Sequence, residues 1–143
     1  MDRDAFEKLV AEGYEKLPQW VREKIKNVAL LVEDEPSHEL RTLEGLKDEE
    51  TLLGHYHGIP LAARGEQYGV GVTLPDTITI FKEPILDAAE EECPPDASPD
   101  EYREVVRRIV AETVWHEYAH YFGMDEDEVR LREDQRDRGI KGE

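Results

Sequence analysis

The chain has 143 residues, 38 % of them hydrophobic, which is enough for one buried core and one domain spanning residues 1–143, but not for two. With 35 acids against 18 lysines and arginines, the formal charge is -17, which opposes polyphosphates and anionic bilayers, so no nucleic-acid or membrane partner is expected. No apolar run follows Met1 and no stretch reaches the length of a membrane span, so a cytoplasmic protein is expected.

Asp4 to about Leu17 reads as a first helix, with Asp4 and Glu7 as a capping box and Phe6, Leu9, Val10 and Leu17 on one side. Pro18 interrupts it, and a short helix is expected from Gln19 to Lys26. Val28 to Val32 is a continuous apolar run, the pattern of a strand buried on both faces. Residues 33–51 are rich in acids, with only Leu40, Leu43 and Leu46 as apolar anchors, and read as a mobile surface connection.

Leu52 to His57 and Thr77 to Phe81 read as strands, the second turning Ile78 and Ile80 inward and its threonines outward. Gly58, Pro60, Gly65, Gly69, Gly71 and Pro75 mark a loop or irregular hairpin between them. His55 and His57 share a face of their strand, where they either form a second metal pair or hydrogen-bond locally. Arg64 either orients a substrate carboxylate or pairs with the abundant acids. Cys93, the sole cysteine, is followed by two prolines and reads as a linker thiol in a reducing compartment.

A long helix is expected from Ser98 to Phe122. Ser98, Pro99 and Glu101 form a capping box with proline at the first helical position. Tyr102, Val106, Ile109, Thr113, His116 and His120 then recur at spacings of three and four, so the two histidines continue the buried stripe. Residues four apart lie one above the other on a helix, and His116 and His120 can therefore aim two imidazoles at one metal. Glu117, beside the first, is placed to act as a base on water activated by that metal. A chance match to H-E-x-x-H in a chain of this composition has a probability of about 3 %, so the capped helix around the motif carries much of the inference. Gly123 comes where a left-handed residue can stop the helix.

Two histidines leave a tetrahedral ion short of a third protein ligand. Glu126 stands ten residues after His116, the spacing at which the pattern H-E-x-x-H-x-x-G-x-x-H places its third histidine. Asp125 and Asp127 flank it and are alternates. Glu128 to Arg138 offers acid–base pairs at helical spacing, and residues 139–143 read as a frayed tail.

His116 to Gly123 with the acids after it, the run Gly54-His55-Tyr56-His57-Gly58-Ile59-Pro60-Leu61 and the stretch Leu74 to Phe81 together resemble the minimal zincin-like metallopeptidase family of bacteria. The resemblance covers roughly residues 26–131 and implies a compact zincin fold with an H-E-x-x-H-x-x-G-x-x-acid site. That family more often carries Asp at the third metal position, so the choice among Glu126, Asp125 and Asp127 stays open. By analogy of fold, Leu52 to His57 is the edge strand that takes substrate as an added strand, with Thr77 to Phe81 beside it. Tyr56 or His57 could then donate to the oxyanion.

The reading is an α+β, zincin-like fold with a small mixed sheet packed with helices and an active-site helix carrying H-E-x-x-H. The expected function is zinc-dependent peptide hydrolysis, with His116, His120 and Glu126 on the metal, Glu117 as general base and a peptide or protein as substrate. Zinc could be replaced by another divalent metal. A noncatalytic metal-binding or interaction module on the same scaffold is the alternative. A deformylase-like site would need Cys93 as third ligand.

Overall fold

The computed structural model describes residues 1–58 and 76–123. In chain order these form helices α1 (Arg3–Glu15) and α2 (Gln19–Lys24), strand β1 (Val28–Glu33), helix α3 (His38–Leu43), strands β2 (Gly54–His57) and β3 (Asp76–Phe81), and helices α4 (Lys82–Glu92) and α5 (Pro99–Tyr121). The interstrand loop with Arg64, the acids Asp125, Glu126 and Asp127, the Glu128 to Arg138 segment and the 139–143 tail lie outside the described residues.

The sheet is small and mixed, in the order β1-β3-β2. β1 runs parallel to β3, pairing Leu30 with Ile78 and Val32 with Ile80, whereas β2 runs antiparallel, pairing Gly54 with Ile80 and Tyr56 with Ile78. Those pairs share one face of the pleat, and Ile78 and Ile80 are fully buried in the core. The core on that side is completed by Phe6, Leu9 and Val10 of α1, Ile85 and Ala89 of α4, and Val106, Val110, Val114 and Tyr118 of α5. Helix α5 is the common partner, since α1, α4, β2 and β3 all pack on it.

Several local expectations are revised. Asp2, not Asp4, caps α1, accepting a hydrogen bond from the Ala5 amide at 2.8 Å. β1 is not buried on both faces, and Leu31 is 42 % exposed. Helices cover one side of the sheet, while among the described residues the other is flanked by α3, whose Leu43 is itself exposed. The segment 33–51, read as a mobile surface connection, contains a short helix that the sequence reading does not mark, because Ser37 accepts from the Leu40 amide at 3.1 Å and starts α3. Helix α4 has no side-chain cap at Phe81, since the chain passes straight into it from β3. Its periodic signal is short, with Ile85 and Ala89 four residues apart on the buried side.

α5 begins as its sequence demands. Ser98 Oγ accepts from the Glu101 amide at 3.1 Å, and the Glu101 carboxylate accepts in return from the Ser98 amide at 3.4 Å. Its 23 residues extend roughly 34 Å. β2 approaches it closely at Gly54. A Cβ there would lie 2.8 Å from Thr113 Cγ2, 3.0 Å from Glu117 Cγ and 3.2 Å from the Thr79 carbonyl oxygen. A bare glycine therefore lets the strand lie against the helix at the level of Glu117.

Gly54→Ala is expected to lower stability by about 1–3 kcal/mol, because the added methyl meets a helix side chain on one side and strand backbone on the other. Urea unfolding of the two proteins checks this, and an unchanged midpoint would contradict the close approach.

Candidate active site

The C-terminal turns of α5 are pinned before they reach any chemistry. Tyr121 is fully buried, and its hydroxyl accepts from the Lys26 amide at 3.1 Å and donates to the Lys26 carbonyl at 3.3 Å. This ties the helix end to the chain entering β1, where Asn27 turns with a φ of 53°. Gly123 ends the helix in the left-handed region, at φ 85°, and its amide donates to the His120 carbonyl at 2.9 Å. The expected stop signal is thus realised at the expected residue.

His116 and His120 are half-buried on one face of α5, with ring centroids 4.8 Å apart and planes inclined by 74°. Their Nε2 atoms converge to 3.1 Å. Two tetrahedral zinc ligands at about 2.0–2.1 Å would place their nitrogens roughly 3.3 Å apart, so this donor pair fits a single zinc ion. Among the described residues, no group of three His, Cys, Asp or Glu side chains is placed to hold a metal. Cys93 caps the C-terminus of α4 and does not join the histidines in such a group.

Glu117 is 7 % exposed. Together with His116, Thr113 and Gly54 it lines a cavity of about 420 Å³ between α5, α4 and the entry to β2. Thr113 is also buried and satisfies its own hydroxyl by donating to the Ile109 carbonyl at 2.7 Å. Its methyl, not its hydroxyl, faces Gly54. The carboxylate stem of Glu117 is confined by this packing, which fixes where a base would act.

The two flanking strand residues separate. Tyr56 lies on the α5 side of the sheet, ring edge against Tyr121 at 6.2 Å, and its hydroxyl donates to buried Asp76 Oδ2 at 2.7 Å. His57 is one residue on and occupies the opposite face with His55, the two rings stacked at 6.4 Å beside Leu40 and Leu43 of α3. The alternation of the strand thus brings Tyr56 to the side of His116 and Glu117 and turns His57 away from it. His55 has its pKa lowered, first by burial and further by the neighbouring His57, against the opposing pull of Glu44. That environment favours the neutral imidazole.

Sequence reasoning missed Asp76 as the partner of Tyr56 and Gly54 as the point of contact with Glu117. Both belong to the segments that carry the family resemblance, but their partners come from elements distant in sequence.

Comparison with known proteins bears on this arrangement. A family model described as zincin-like metallopeptidase matches residues 25–136. No curated protein gives a match. Among solved structures, the chain is similar to a conserved hypothetical protein from Thermus thermophilus, at 21 % identity and a TM-score of 0.49, over 85 % of this chain and 94 % of that one. The family match takes in β1, both other strands and the whole of α5 with its two histidines and glutamate, and the chain belongs to the zincin-like metallopeptidase family.

Proposed function

We propose that the protein is a zinc-dependent peptidase, with His116 and His120 as two metal ligands and Glu117 as general base. The observation that carries this reading is the convergence of the two Nε2 atoms to 3.1 Å, one residue from a buried carboxylate that opens on a cavity. The third protein ligand falls to Glu126, ten residues after His116, or to its neighbours Asp125 and Asp127. A bound zinc ion would supply Lewis-acid polarisation of the scissile carbonyl and make water acidic enough to lose a proton near neutral pH.

The chain's own residues do the remaining work. Glu117 takes the proton from the attacking water and passes it to the departing amine, and its confinement by Gly54 and Thr113 limits the positions from which it can do so. β2 lies at one end of the three-stranded sheet among the described residues. It can accept an extended peptide by strand addition and hold it alongside His116 and Glu117. Tyr56 anchors that strand to β3 through Asp76, which supports a positioning role for the hydroxyl.

Zinc-loaded wild type and Glu117→Gln are to be compared on a diverse peptide library. The expected result is that the variant keeps its zinc and loses about 10²–10⁴-fold in kcat/KM. Undiminished turnover by Glu117→Gln would sink the mechanism. Wild-type protein that holds zinc and cleaves no member of the library would point instead to a noncatalytic metal-binding or interaction module.

A further inference from the structure

The cavity beside Glu117 has a built polarity. Its floor is Ile109, 4 % exposed, and buried Thr113. Its walls are Leu52 and Leu53, leading into β2, and Ala88 of α4. At the rim stand Glu92 and Glu112, both paired with Arg108, whose guanidinium bridges α4 and α5. Two carboxylates against one guanidinium leave the rim with an excess negative charge on a chain that is already strongly acidic.

Ile109, Thr113 and His116 follow the helical stripe, so the trough runs along α5 for roughly 10 Å away from the histidines. A peptide added as a strand beside β2 would turn every second side chain toward α5, with same-face residues spaced by roughly 7 Å. One side chain next to the cleaved bond therefore falls over the apolar trough, the side chains two residues to either side of it face the same way toward the rim, and its immediate neighbours turn away from α5. Water excluded from this floor by an aliphatic group is a favourable exchange, whereas a charged group there would meet no counter-charge on Ile109, Leu52, Leu53 or Ala88.

We propose that this trough is the specificity subsite, taking peptides in which an aliphatic residue such as leucine lies beside the cleaved bond and a basic residue stands two positions from it. This rests on the peptidase reading for the bond broken, but not for the binding. Ala88, on α4, sets the free width of the trough, and Glu112, exposed on α5, sets the charge preference at its mouth. Neither residue is part of the metal pair or the base.

The test uses the full chain with four hexapeptides that differ only at two positions separated by one alanine, named by those two residues as Leu-Arg, Leu-Glu, Asp-Arg and Gly-Arg. Dissociation constants for metal-free protein are measured by calorimetry, and cleavage rates are measured for zinc-loaded protein. The Leu-Arg peptide is expected to bind at least about tenfold more tightly than the Asp-Arg peptide. Ala88→Phe, which fills the trough, is expected to remove the preference of Leu over Gly. Glu112→Lys, which replaces one of the two carboxylates paired with Arg108 by a positive charge, is expected to reverse the preference of Arg over Glu. Cleavage of all four peptides at similar rates with no binding preference would overturn the subsite and leave the peptidase standing. The expected binding preferences without cleavage would overturn the peptidase and leave the subsite standing. Neither binding nor cleavage would overturn both.

Discussion

The approach of β2 to α5 at Gly54 is the constraint on which the rest of the site depends. Most strand residues hold a helix at a distance set by their own side chains, but here the strand backbone comes within reach of Thr113 and Glu117. That proximity accompanies the burial of the Glu117 residue, and it brings a sheet edge and the His116 imidazole into one cleft. About one turn further on, the C-terminus of the same helix is fixed by Tyr121 on the backbone of Lys26. Beside these two contacts stand His116 and His120, whose Nε2 atoms lie 3.1 Å apart.

Much of this is written locally and can be read from the chain. The capping box at Ser98, the stripe from Val106 to His120 and the left-handed stop at Gly123 are all decided within a turn or two of helix, and each stands where the spacing puts it. The alternation of Ile78 and Ile80 marks the inward face of β3, and the mixed character of the sheet follows from pairing a parallel β1 with an antiparallel β2. Other features depend on what lies across the fold. An apolar run such as Val28 to Val32 does not reveal how little of the described chain covers one of its faces, on which Leu31 is exposed. α4 escapes notice because it grows directly from a strand without a polar cap. Ser37 signals the start of α3, but the acids around it mask the short helix.

The site is legible only in part for the same reason. His116, Glu117 and His120 are linked by helical spacing, whereas Gly54, Asp76 and Tyr56 meet their partners across the sheet. The choice between Tyr56 and His57 turns on a single residue of strand register, which periodicity cannot supply until one neighbour is fixed. Once Tyr56 pairs with Ile78 on the core face, His57 is committed to the other. Asp125, Glu126 and Asp127 lie beyond the described residues, and the third ligand rests on spacing and family membership.

The most direct measurement of the central claim is the zinc stoichiometry and affinity of metal-free protein reloaded near neutral pH, taken side by side for wild type, His116→Ala, His120→Ala and Glu126→Ala. One tightly held zinc per chain in the wild type, lost on removal of either histidine and weakened or lost on removal of Glu126, is the result this account predicts. Wild-type protein that takes up no zinc, or histidine variants that hold it as tightly as the wild type, would contradict it.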